Sequence, residues 1–95
     1  MTTFTVRVEL HNAGQSEYLV LHGSMTMAGF KNTIRSDASV SYVLPPGEYN
    51  YVGTATRSEI LEAAKKAAAN TGRSCAILVT ESVGRSWSGL SKAKS

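Results

Sequence analysis

Cysteine and tryptophan each occur once in this chain of 95 residues, proline twice and histidine twice. Each scarcity removes a class of protein. A lone thiol, Cys75, has no partner for an internal disulfide, and its place in an apolar run marks it as a reduced core residue. One cysteine and two histidines cannot supply the paired ligands of a structural zinc site. No apolar run approaches the roughly 20 residues that span a bilayer. The start, Met1-Thr2-Thr3-Phe4, lacks the basic-then-apolar layout of a secretory leader. No membrane and a cytoplasmic location are the expectation. Charge is also modest, +3 overall, with no polybasic block to announce nucleic acid. Only from Ser82 onward do basic residues (Arg85, Lys92, Lys94) stand with no acidic neighbour.

What is present begins with a helix. Thr56-Arg57-Ser58-Glu59 is a capping-box pattern, and Ile60, Leu61, Ala64, Ala67 and Ala68 build one apolar stripe behind it. Glu59, Glu62, Lys65 and Lys66 take the other side, and Gly72 supplies a left-handed stop. So much alanine in the stripe implies close packing against a sheet.

The remaining elements follow from period and punctuation. Thr3 to Leu10 alternates strictly, with Phe4, Val6, Val8 and Leu10 on one face and Thr5, Arg7 and Glu9 on the other. A helix should follow from about Ser16, its N-cap, to Gly29. Strands are expected over 30–36, 40–44 and 48–55, with Pro45-Pro46-Gly47 interrupting any ladder. Ser74 to Thr80 is apolar on both faces and predicts an inner strand. Arg85 to Leu90, carrying Trp87, predicts a returning strand. The expected fold is therefore α+β, a ferredoxin-like βαββαβ sandwich with an extra C-terminal strand. It would occupy residues 1–90 as one domain, with 91–95 a frayed basic tail.

Chemistry is sparse. No Gly-x-Ser-x-Gly elbow or phosphate loop exists. Glu9 and His11, two apart at the exit of the first strand, are the candidate catalytic residues. They could share a divalent ion, although the residues name no metal ligand set and no cofactor is expected. Tyr49 and Tyr51 share one strand face and, with Arg7, offer a candidate surface for stacking single-stranded RNA. Packing or an interface is the competing role for the two tyrosines. Trp87 and Arg85, on a terminal edge strand, are candidate contacts of a homodimer.

Several stretches resemble the GhoS-type antitoxins, a family of small bacterial proteins. They are Phe4 to Leu10, Ala28-Gly29-Phe30, Glu48-Tyr49-Asn50-Tyr51, Thr56 to Leu61, Val79-Thr80-Glu81-Ser82 and Gly84-Arg85-Ser86-Trp87. The resemblance implies a ferredoxin-like fold related to CRISPR-associated small ribonucleases, and an RNA-binding antitoxin with room for weak endoribonuclease activity. Those ribonucleases carry an aspartate leaving the first strand, where this chain has Glu9-Leu10-His11-Asn12. No catalytic residue is carried across. The alternative is a non-enzymatic dimeric interaction module encoded by a phage or mobile element.

Overall fold

The computed structural model describes residues 1–94, two helices and five strands in two antiparallel sheets, an α+β fold. Strand β1 (Thr2–Leu10) runs between β4 (Glu48–Gly53) and β5 (Cys75–Ser82), antiparallel to both. Its alternation does what the period requires: Phe4, Val6, Val8 and Leu10 are all buried, beneath the two helices α1 (Gln15–Met27) and α2 (Arg57–Ala69). Leu21 and Met25 of α1, and Ile60, Ala64, Ala67 and Ala68 of α2, complete that core with Phe30 and Tyr49. The other face of the sheet carries Thr3, Thr5, Arg7 and Glu9, and no helix among the described residues covers it.

The α2 cap forms as its residues dictate. Glu59 N–H donates to Thr56 Oγ1 at 3.1 Å, and Thr56 N–H donates to the Glu59 carboxylate at 2.9 Å. Thr56→Ala deletes the first of these bonds and should cost about 1 kcal/mol. Equal urea midpoints for the two proteins would show that the cap contributes nothing. Helix α1 begins differently from expectation. Gly14, not Ser16, is its N-cap, because Glu17 reaches back to accept the Gly14 amide at 2.7 Å. That bond to the backbone is also the main reason the Glu17 carboxyl sits below its ordinary pKa.

Three expectations need correction. Cys75–Ser82 is not an inner strand: it is an edge, with Ala76, Leu78 and Thr80 turned to solvent. β1, despite its charged face, takes the centre because it alone pairs with both β4 and β5. Residues 85–90 form no strand. Gly84, Ser86, Ser88 and Gly89, the last with φ of 82°, interrupt any run of strand formers there. Instead this segment carries the chain from β5 to the small second sheet, the hairpin of β2 (Thr33–Arg35) and β3 (Ser41–Val43). Finally, the tail expected to fray is tied down as far as Ala93. Val43 N–H donates to Ser91 O at 2.8 Å and Ala93 N–H to Ser41 O at 2.9 Å. Ser95 lies outside the described residues.

The hairpin stands apart from the main sheet because Pro45 and Pro46 have no amide hydrogens to give a ladder. Among the described residues its only link to the main sheet's ladder is the pair Lys31 and Asn50, which exchange backbone bonds of 2.9 and 2.7 Å. No helix among the described residues is long and apolar enough to cross a membrane.

Candidate functional site

The uncovered sheet face acquires a side chain from far along the sequence. Arg85, leaving β5, lies across β1 and β4, and its Nη1 donates to Asn50 Oδ1 at 3.0 Å and Thr5 Oγ1 at 3.4 Å. Thr5 and Asn50 are cross-strand partners, so the guanidinium bridges a register pair. Burial pulls its pKa below the ordinary value, yet an arginine remains a cation at any pH the fold meets. Both acceptors are neutral. No described carboxylate forms an ion pair with Arg85. A half-buried cation with two of its five donors engaged is thus left without a counter-ion.

Two other cations stand beside it. Lys31 is set on the same face by its bridge to Asn50, and Arg35 lies two pleats along from Lys31 with Thr33 between. Thr3, Lys31, Arg35, Asn50 and Arg85 line a groove of about 570 Å³. A second groove of about 450 Å³ continues from it, sharing Thr3, Arg35 and Arg85 and adding Ser82, Ser86 and Trp87. Asp37 is the only acidic residue lining either one. Lys31 and Arg35, like Arg85, belong to no ion pair among the described residues. Small hydroxyls and an amide between three unpaired cations make a lining that hydrogen-bonds and attracts anions.

The expected site residues divide sharply. Arg7 is exposed on the same open face, one pleat from Thr5 and so about 7 Å along the strand from it. Tyr49 and Tyr51 are on the opposite, core-facing side, Tyr49 buried and Tyr51 partly so. Tyr49 is 2% exposed in the core, with the His22 ring stacked on it at 6.1 Å. Tyr51 packs between Phe30 and Phe4, at 5.4 and 6.4 Å between ring centres. The reason is parity: in the β1–β4 register Tyr51 is opposite Phe4 and Tyr49 opposite Val6, both core residues. Trp87 offers no strand edge to a second copy. It meets the Tyr42 ring edge-on at 5.6 Å and holds the C-terminal segment against the hairpin.

Glu9 and His11 do come together. Their side chains approach to 3.9 Å, and His11 Nδ1 lies 3.2 Å from Ser74 Oγ. Both are about half exposed or more. They stand at the far end of β1, roughly 20 Å from Thr3 at the strand rise. Among the described residues no group of three or more His, Cys, Asp or Glu could hold a metal ion.

Lys31 and Arg35 escape a reading that looks for aromatics. Their signal is nonetheless in the sequence: Lys31, Thr33 and Arg35 alternate with Asn32 and the buried Ile34, a cationic face at period two. Compared with known proteins, the chain matches no family model and no curated protein.

Proposed function

We propose that this chain is a small RNA-binding protein of the GhoS-like antitoxin type, and that its open sheet face, not its tyrosines, receives the strand. The observation that carries this reading is Arg85: a partly desolvated guanidinium, held by neutral oxygens and flanked by Lys31 and Arg35, lacks a negative partner. Phosphodiester oxygens supply one. The groove is lined for a backbone, with three cations to neutralise phosphates and hydroxyls to donate to them, so affinity should depend on charge more than on sequence. Arg7, farther along β1, extends the track toward Glu9 and His11. A strand bound in the groove would have to follow β1 past Arg7 before any phosphodiester reached that pair, so binding is the primary activity and cleavage at most a secondary one.

A ferredoxin-like arrangement fits the same chain. The antiparallel order β4-β1-β5 supplies three neighbours of that four-stranded sheet, and Lys31, bridged to Asn50, occupies the fourth position with a single residue pair.

Anisotropy of a labelled single-stranded RNA of mixed sequence tests the proposal. Three neutralised phosphates give a slope of log affinity on log salt near −2 for a single strand, so raising salt fourfold should weaken binding about 20-fold. Arg85→Ala should weaken it by about tenfold at low salt and flatten the slope. Failure of wild-type protein to bind at low salt, or unchanged binding by a folded Arg85→Ala protein, would refute the assignment.

A further inference from the structure

The outer edge of β5 (Cys75 to Ser82) has no described strand beside it, so the amides and carbonyls of alternate residues along it, Cys75, Ile77, Val79 and Glu81, face outward unpaired. Exposed edges usually carry a proline, a lysine or a bulge that forbids further pairing. This one has none. Its one charged residue, Glu81, is already engaged by Arg57 at 3.2 Å. Apolar side chains flank the edge on both faces of the sheet: Leu78 is 63% exposed on the open side, and half-buried Ile77 lies with Leu61 of α2 along a shallow groove on the helix side, whose lining also includes Lys65 and Arg73. The opposite edge is not equivalent, because Lys31 already occupies β4 through both backbone bonds of Asn50.

We infer that β5 is a homodimer interface, pairing antiparallel with β5 of a second copy to make one six-stranded sheet. A second copy is the occupant that the edge itself specifies. With the two-fold axis at Leu78, Leu78 meets Leu78, Ile77 meets Val79 and Ala76 meets Thr80, while Cys75 falls opposite Glu81. Within the paired strands, apolar residues thus meet at the centre and no like charges are opposed. The alternating exposure that leaves Ala76, Leu78 and Thr80 on one face is preserved across the axis, since antiparallel pairing keeps faces in register. The strand is about 26 Å long at the usual rise, and the molecule's shortest dimension is 20 Å. That product is about 500 Å² on each copy, or about 1,000 Å² in all, at the low end of specific interfaces. An area of that size is typical of weak, transient association. Pairing joins the two open faces side by side, but it requires no RNA and does not rest on that reading.

Sedimentation velocity of the full chain from low to high micromolar concentration tests this. Wild-type protein should shift from 10.1 kDa toward twice that mass. Leu78→Lys should weaken association by about tenfold or more, with melting unchanged because the side chain is exposed. Val52→Lys, 51% exposed on β4, should leave association intact. If Leu78→Lys fails to fold, Ala76→Lys, exposed on the same face of the same strand, takes its place. A wild-type monomer throughout the range overturns the proposal. So does a dimer that the β5 lysine leaves untouched, or one that the β4 lysine disrupts equally.

Discussion

Gly47→Ala should lower the melting temperature by about 15 °C or more, the largest effect expected of any one-methyl change in this chain. Pro45, Pro46, Gly47 and Glu48 form a tight turn closed by Glu48 N–H donating to Pro45 O at 3.0 Å. Proline at its second position and a positive φ at its third are the type II pattern, and Gly47 supplies that φ at +85°. The turn also does sheet work. Val8 N–H, beyond the end of β4, donates to Gly47 O at 2.7 Å, and Leu10 N–H is satisfied by the Tyr18 hydroxyl at 3.1 Å. A Cβ on Gly47 would stand 2.5 Å from Val8 O and 3.4 Å from the Tyr18 ring. The left-handed backbone alone costs about 1–2 kcal/mol for an L-residue, and a clash with a backbone carbonyl inside a ladder cannot be relieved by rotating a side chain. A total of about 3–5 kcal/mol converts to roughly 15–30 °C for a domain of this size. Melting within about 5 °C of wild type would mean that the turn does not pack against β1 as described.

Tyr49→Ala should destabilise by a similar amount, about 3–5 kcal/mol, since it empties a core position that is 2% exposed. Loss of RNA affinity should then follow only from unfolding. Were Tyr49→Ala to melt normally and yet fail to bind RNA, the open-face assignment would be wrong and the tyrosine platform right. Tyr49→Phe separates the ring from its hydroxyl. Burial disfavours the phenolate and raises the Tyr49 pKa to about 12 from the ordinary 10.0. A raised folded-state pKa means full stabilisation below pH 10, lost as pH climbs from about 10 to about 12. The loss is about 2–3 kcal/mol over that window. Tyr49→Phe should melt like wild type at neutral pH and lose less stability than wild type across the alkaline window. Parallel curves for the two proteins would show that the hydroxyl is not desolvated.

The elements were legible where one local rule was sufficient. Strict alternation gives β1 its faces, and Thr56 with Glu59 places the start of α2 to the residue. The errors arose where partners decide. Whether Tyr49 points to core or solvent depends on the β1–β4 register, which no pattern within 48–53 reveals, because Tyr49, Asn50, Tyr51 and Val52 include side chains compatible with either face. The apolar run of β5 suggested a central strand, yet sheet position is fixed by which strands lie on either side, and among the described residues only one does. The cationic groove was the least legible feature. It joins Lys31 and Arg35 to Arg85, residues some 50 positions apart, and becomes a site only because the C-terminal segment crosses an open sheet to reach the hairpin.

The central position of β1 has a consequence for how the chain is born. The first strand to be synthesised waits for both neighbours: β4 begins 38 residues after β1 ends, and β5 is complete only at Ser82. The 72 residues between Leu10 and Ser82 take about 4–14 s to add at about 5–20 residues per second. Until Gly53 completes β4, Phe4, Val6, Val8 and Leu10 belong to a strand with no partner, and until Ser82 one edge of β1 remains open. Sheet completion depends on contacts between strands far apart in sequence, and such non-local pairing is slow. The species most open to misassociation is the partly folded chain in which that edge of β1 still lacks its partner.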